Sequence, residues 1–325
     1  MRLFALHTSN SFGEKVAMAL NVSLNDHEER DFEDGEHKIR PLVSVRDQDV
    51  YVIHSLHADG HESVNDKLIK LLFFISTLKD AGAARITAIV PYLCYARKDR
   101  RTKARDPLSL KYVASLFESS GLDRLVTIDV HNLQAFQNAF RCHTEHLEAQ
   151  NLFMGYFKSM LDQDEELVVM SPDIGGVKRA EQFRDKMAEI ISKPVGFAFM
   201  EKMRSKDVVS GELVVGNVKD KAVILLDDLI SSGTTMARAA VACVRLGATS
   251  VYAVATHGAF ISGANAALKE KAIKKVIVTN TIPPGRLNEE LAKKKLEVLD
   301  ITSFFAETIR RLHTGGSLVS LMKME

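Results

Sequence analysis

Cysteine is scarce and scattered: Cys94, Cys142 and Cys243 are the three in the chain. They have neither paired spacing nor a Cys-x-x-Cys, which argues against a disulfide framework and against a cysteine-built zinc site. All three read as packing residues. No uninterrupted apolar run reaches the ~20 residues of a membrane-spanning helix, and the best of them, Leu68 to Leu78, contains Lys70. Met1 to Asn21 holds one early Arg and a short apolar run closed by Ser9, Asn10 and Ser11, unlike a signal peptide. An excess of one charge is missing too, because Lys plus Arg number 43 and Asp plus Glu 42. No gross field draws the chain to nucleic acid or a membrane, and any basic site is local. Low-complexity segments and solenoid-length repeats are absent. The expectation is a cytoplasmic chain that, at 325 residues, makes two domains of ordinary size.

What is present is alternation. Strand candidates are Leu3–Leu6, Val50–Ile53, Ile86–Pro91, Leu125–Asp129, Leu167–Met170, Ala222–Leu226, Thr249–Ala255 and Lys275–Thr279. Amphipathic helices lie between several of them; from Val64 to Ala81, Leu68, Leu71, Leu72, Ile75 and Leu78 form one apolar stripe. Alternating strand and helix predicts an α/β fold with mostly parallel sheets flanked by helices. A polar break from Glu145 to Gln150 divides comparable patterns, predicting two similar domains. Phe304–Leu312 reads as a closing helix and Ser317–Met322 as a short terminal strand. In such sheets ligands bind beyond the carboxyl ends of the strands, so the polar residues after each strand are the candidates for function.

The chain is organised around Lys221 to Arg238. Ala222–Leu226 is a buried-strand run, Asp227 and Asp228 close it, Ser231, Ser232, Gly233, Thr234 and Thr235 form a hydroxyl-rich turn, and a helix follows from Met236 to about Leu246. A turn that opens a helix offers free N–H groups and the positive end of the helix dipole to a phosphate. Gly233 permits a sharp turn and close backbone approach, the hydroxyls add donors, and the two acids can accept from ribose hydroxyls or hold a hydrated cation. Turn-forming acids and an N-cap hydroxyl account for either residue class alone. Both classes together after a buried strand favour a ligand site.

Five other stretches carry chemistry. Phe32–Glu36, Phe-Glu-Asp-Gly-Glu, is a compact acidic turn that by itself reads as a solvated loop. Pro91–Arg105 has six Arg or Lys with tyrosines close by, suited to a compact polyanion and a base; a solvated basic loop is the alternative. RNA tracking would need a wider basic surface. At Ile128–His131 an acid and an imidazole stand two residues apart at a strand end, on the same side of an extended segment. Val169–Arg179 contains Ser-Pro-Asp-Ile-Gly-Gly before a helix, readable as an anion site or as a Pro-Asp cap. Between Met200 and Asp220, a charged piece containing Lys202 and Arg204 leads into Val208–Val218, which suggests a protruding hairpin.

Together these motifs resemble the phosphoribosyl pyrophosphate synthetase (ribose-phosphate pyrophosphokinase) family, in the family's order and over nearly the whole chain. The Asp-Asp loop alone is also similar to that of type I phosphoribosyltransferases. The resemblance implies two similar type I phosphoribosyltransferase-like domains, residues 1–148 and 149–304, with the tail at about 305–325 packing back on the first. It implies Mg2+-dependent transfer of the diphosphoryl group of ATP to ribose 5-phosphate, giving 5-phosphoribosyl 1-pyrophosphate and AMP for nucleotide biosynthesis. By the same resemblance Phe32, Asp34, Glu36, Arg97 and Lys98 contact ATP, with Lys98 standing where the family usually has Gln. Asp129, His131 and Asp173 serve the metal. Lys202 and Arg204 are catalytic, on the family's mobile loop. Arg204, Asp227, Asp228, Ser231, Ser232, Gly233, Thr234 and Thr235 hold ribose 5-phosphate, with Ser231 where many members carry Asp. A homo-oligomer that shares its nucleotide site between subunits is implied; nucleic acid and membrane partners are not.

Overall fold

Short β-branched runs between polar turns pair side by side because successive runs are joined by helices long enough to carry the chain back along the sheet. The computed structural model describes residues 1–161, 165–205 and 208–322, with the backbone alone from 202 to 212. The chain forms two compact units, Met1–Glu148 with Asp300–Glu325, and Ala149–Leu299.

The first unit runs β1 (Arg2–Ala5), a 3-10 turn (His7–Ser9), α1 (Asn10–Leu20), β2 (His27–Asp31), β3 (His37–Pro41), β4 (Asp49–Ile53), α2 (Val64–Asp80), β5 (Arg85–Ile89), α3 (Ser109–Ser119), β6 (Arg124–Ile128), α4 (Leu133–Ala139) and β7 (His143–Leu147). Five strands make one parallel sheet in the order β1-β4-β5-β6-β7. The α2 stripe of Leu68, Leu71, Leu72, Ile75 and Leu78 is buried in the core with Val50, Val52, Ile86, Ala88 and Leu125. Ser63 and Asp66 close a capping box at the start of α2, satisfying two donors that a helix start otherwise leaves unpaired. After the second unit the chain rejoins this one as α10 (Thr302–Thr314) and α11 (Leu318–Met322). Phe305 meets Phe12 of α1 edge-on with ring centroids 5.6 Å apart, and Lys15 pairs with Asp300 at 2.8 Å. His313 Nδ1 lies 2.7 Å from Asp49, a carboxylate that Arg85 also grips at 2.8 and 2.6 Å.

The second unit contains α5 (Gln150–Met160), β8 (Leu167–Ser171), a 3-10 turn (Ile174–Gly176), α6 (Val177–Ile191), β9 (Gly196–Ser205), β10 (Val208–Val215), β11 (Ala222–Ile230), α7 (Thr234–Arg245), β12 (Ser250–Gly258), α8 (Ala264–Leu268), β13 (Lys275–Thr279), α9 (Glu289–Lys295) and β14 (Leu296–Leu299). Its seven strands lie in the order β10-β9-β8-β11-β12-β13-β14. All neighbours are parallel except the β9–β10 hairpin. The register around β11 matters for function. Its pairing with β8 stops at Leu225↔Met170, whereas its pairing with β12 continues to Ile230↔Gly258. The last residues of β11 are therefore held on one side only, and the other side faces the turn that follows β8.

Several sequence readings change. Ser317–Met322 contributes a helix, α11, not a strand: the Ser317 hydroxyl accepts from the Ser320 N–H at 3.3 Å, a turn-nucleating bond. The polar break from Glu145 to Gln150 holds the division between the two units, at Glu148 and Ala149, although its first residues belong to strand β7, which pairs with β6. The acidic turn at Phe32–Glu36 is the tip of an antiparallel hairpin, β2–β3, whose strands escape the period-two pattern because both faces carry charge. Cross-strand ion pairs replace apolar alternation there, with Glu28 bound by Arg40 at 2.5 Å and by Lys38 at 3.3 Å. At β6 the strand ends at Ile128, and Asp129 takes φ +43°. The extended geometry that would put Asp129 and His131 on the same side does not hold.

Candidate active site

In the second unit the acidic pair lies inside β11, not past its end, because β12 keeps the strand in register to Ile230. Arg179, two residues into α6, reaches across to it: one guanidinium nitrogen lies 3.2 Å from Asp227 and 2.9 Å from Asp228. The Asp228 N–H donates to Asp227 Oδ1 at 2.9 Å. Two adjacent carboxylates with one shared cation cannot both hold full charge comfortably. Burial, reinforced by the Asp228 carboxylate, pushes the Asp227 carboxyl up to about 8. Asp227 keeps 22% of its side chain open to solvent and Asp228 only 7%, so Asp227 is the accessible member. Arg179 was singled out for no role from sequence. It stands six residues after Asp173, and the signal that could have found it is that a half-buried acid pair requires a cation.

Beyond Ile230 the turn is fastened from one side. The Ile230 carbonyl accepts from Ala259 and Phe260 at 3.0 and 3.3 Å, and the Ser231 carbonyl from Ile261 at 3.1 Å. Gly233 has φ +73°, and a Cβ there would lie 2.9 Å from Leu268 Cδ2 of α8. Glycine is thus needed for the turn and for packing against the chain's own helix. The N-cap of α7 is Gly233, and among the described residues no side chain makes a cap bond there. The hydroxyls of Ser232 and Thr234 meet at 3.1 Å on its exposed side. With twelve residues in the helix, its dipole is well developed, and its first turn is receptive to an anion.

Asp173 follows β8, the neighbour that β11 leaves behind. Its Oδ1 accepts from the Gly176 N–H at 3.2 Å, and Ser171 Oγ donates to its carbonyl at 2.6 Å. A Cβ on Gly176 would stand 2.7 Å from Ser171 Oγ, so this glycine admits the chain's own hydroxyl. Lys202 and Arg204 lie on β9, opposite Glu212 and Val209 of β10; their side chains lie outside the described residues.

In the first unit, the loops after β5 and β6 are tied together. The Asn132 amide donates to Asp99 at 2.6 Å, which places the Arg97–Lys98 segment beside the Asp129–His131 segment. Lys98 is turned to Asp106 at 2.6 Å. Asp106 also accepts from Thr102 Oγ1 at 2.8 Å and from the Thr102 and Lys103 N–H groups at 3.0 Å. The Lys98 ammonium, with these bonds, holds that carboxyl far below the usual range. Arg97 is exposed. Phe32, Asp34 and Glu36 are exposed on the hairpin tip, where Arg30 stacks over the Phe32 ring at 5.1 Å and Asp34 accepts from the Glu36 N–H at 3.1 Å. Among the described residues no helix is long and apolar enough to cross a membrane.

Fold and site define the class: a parallel-sheet α/β protein with a cation-locked acid pair directly before an anion-receptive helix start. Residues 1–121 match the family described as the N-terminal domain of ribose phosphate pyrophosphokinase, and residues 168–323 the phosphoribosyl synthetase-associated domain. The ribose-phosphate pyrophosphokinase of Caldanaerobacter subterraneus subsp. tengcongensis is 38% identical over 322 residues, covering 99% of this chain and 97% of that one. That of Clostridium tetani is 37% identical over 323 residues with the same coverage. The crystal structure of phosphoribosylpyrophosphate synthetase from Mycobacterium smegmatis superposes with a TM-score of 0.87 at 37% identity, over 97% of this chain and 99% of that one. The chain belongs to the ribose-phosphate pyrophosphokinase family.

Proposed function

We propose that the protein is a ribose-phosphate diphosphokinase, joining ATP and ribose 5-phosphate to give 5-phosphoribosyl 1-pyrophosphate and AMP, and so supplying nucleotide biosynthesis in the cytoplasm. The observation that carries this reading is the end of β11, where an acid pair held by Arg179 adjoins a helix start with glycine at its N-cap. The 5-phosphate takes the open first turn of α7 and the hydroxyls of Ser231, Ser232, Thr234 and Thr235, with Gly233 shaping the turn. Asp227 and Asp228 accept from the ribose hydroxyls and orient the C1 hydroxyl. The C1 hydroxyl oxygen bonds to the β-phosphorus and gives up its proton to solvent, as the bond to the α,β-bridging oxygen breaks and AMP leaves with that oxygen. Positioning supplies much of the rate.

Phe32, Asp34, Glu36, Arg97 and Lys98 are the proposed nucleotide contacts. The exposure of the hairpin tip fits a role at a neighbouring subunit's nucleotide in a homo-oligomer. Lys202 and Arg204 offset charge on the transferring phosphates, and Arg204 also contacts the sugar phosphate. Asp173 has one carboxylate oxygen committed to the Gly176 N–H and a second oxygen of the hard type that suits magnesium; Asp129 offers another, and His131 is the weaker donor for this ion. Asp129 and His131 in the first unit, and Asp173 in the second, are each proposed as Mg2+ ligands. When bound, the ion neutralises phosphate charge.

The test is AMP release with ATP, magnesium and ribose 5-phosphate, comparing the unaltered protein with Lys202→Ala. AMP formation that needs all three components and falls ~10²- to 10³-fold in the variant is expected from the loss of a transition-state contact. Folded protein that binds ribose 5-phosphate but releases no AMP would replace this reading with a catalytically silent, partner-binding relative.

A further inference from the structure

Among the described residues, one group of three side chains has the composition and spacing of a metal centre, and it is not one of those proposed above. His7, His27 and Glu29 bring one ligand atom each to within 4.8 Å of one another. His27 and Glu29 alternate along β2, which puts both on one face of the hairpin. His7 opens the 3-10 turn after β1 and comes to that face from the sheet. His27 Nε2 lies 2.8 Å and His7 Nδ1 3.9 Å from the two oxygens of Glu29, and the imidazole centroids are 5.4 Å apart.

We propose that His7, His27 and Glu29 form a binding site for a divalent transition metal, with Zn2+ the best match. Two imidazoles and a carboxylate are borderline ligands that suit zinc and its neighbours better than magnesium or calcium. Ligands about 2.0–2.2 Å from a common zinc lie roughly 3.3 Å apart at tetrahedral angles, within the range spanned here. The surroundings are those of a supported centre. Glu29 Oε1 accepts the His7 backbone N–H at 2.6 Å, which orients the carboxylate while Oε2 faces His7 Nδ1. The His27 ring is wedged edge-on against Phe4 at 6.2 Å and tilted against Phe74 at 5.6 Å, so its rotamer is fixed by packing. Glu29 and His27 are 7% and 8% exposed, whereas His7 is 61% exposed. Metal enters past His7, and water completes the coordination from that side. A bound ion would add a further link between the hairpin bearing Phe32–Glu36 and the end of β1, beside the Glu29 bond to the His7 N–H and the Phe4–His27 ring contact.

The experiment is calorimetric titration of the chelator-stripped full chain with Zn2+ in excess magnesium, alongside the visible spectrum of the Co2+ form. Expected are about one tight equivalent per chain, a tetrahedral Co2+ absorption band and a raised melting temperature. His7→Ala changes an exposed residue and should fold normally, yet weaken binding at least ~10-fold, since loss of even an outer partner weakens a site that much. Glu29→Gln should do the same, whereas His131→Ala should retain the tight equivalent. No tight equivalent, or one that survives His7→Ala or disappears with His131→Ala, overturns the assignment.

Discussion

Two strand ends of the same design finish differently. In the first unit β6 leads through Asp129 and His131 into α4, and the Asn132 side chain caps that helix by accepting from the Ala135 N–H at 3.1 Å. In the second unit β11 leads through Asp227 and Asp228 into α7, where glycine stands at the cap and, among the described residues, no side-chain cap bond is made. The acids differ as well. Asp129 turns the chain at a positive φ, whereas Asp227 and Asp228 stay in the strand and share one guanidinium. A helix start that the protein caps has used its donors, whereas one left to glycine keeps them for an anion. The second unit therefore has an anion-receptive end, and the first has an end organised for its own loops.

The largest way to break this contrast is Arg179→Met. It leaves two carboxylates without their shared cation and should destabilise the fold by about 2–3 kcal/mol, below the ~3–5 of a fully buried pair because water reaches part of the guanidinium. Urea unfolding measures it, and adding Asp227→Asn should recover part of the loss; no recovery would mean that Arg179 acts elsewhere.

Asp227→Asn alone sharpens the contrast through pH. A carboxyl raised from about 4 in the unfolded chain to about 8 in the folded one keeps its proton on folding between those values, so it makes folding less favourable as pH rises through them. Asparagine carries no such penalty. The stability of the variant relative to the unaltered protein should increase from about pH 5 to about pH 8, and thermal melts showing a constant difference would contradict the raised carboxyl.

Placing a fixed negative charge on the open helix start should make α7 resemble a capped end. Thr234→Asp is expected to raise the KM for ribose 5-phosphate about 10-fold or more, about 1.4 kcal/mol, by repelling the phosphate. The helix itself should gain a few tenths of a kcal/mol from the dipole. A KM that stays put would separate the phosphate from this turn. The smallest effect belongs to the capped end. Asn132→Ala removes a cap worth about 1 kcal/mol together with the Asn132–Asp99 bond, a loss read by urea unfolding, and should leave the KM for ribose 5-phosphate unchanged.

The alternation of strands and helices was legible because each core strand is a run of apolar residues and α2 carries a continuous stripe, both local patterns. The hairpin β2–β3 was not, since its stability rests on Glu28 with Arg40 and Lys38 across the strands, and such pairs leave no apolar period in either strand. Strands β7 and β14 were hidden for a related reason: each is half-exposed and mixed in polarity, and becomes a strand by pairing with a neighbour already in the sheet. Ser317–Met322 misled because four of its six residues are apolar; with a serine hydroxyl nucleating the turn, the segment coils.

At the candidate site the sequence by itself determined which groups stand at each strand end, and in what order: the adjacent acids, the hydroxyls, and the glycine whose backbone freedom the turn uses at φ +73°. These are properties of neighbours along the chain, and composition and spacing report them. Tertiary structure alone decided that Asp227 and Asp228 remain within a strand, that Arg179, 48 and 49 residues away, is their cation, and that His7 meets His27 and Glu29. Those partnerships depend on which strands lie side by side and where their registers stop. A pairing between distant residues becomes favourable only after the sheet has brought them within a few ångströms, so no local pattern in the chain announces it.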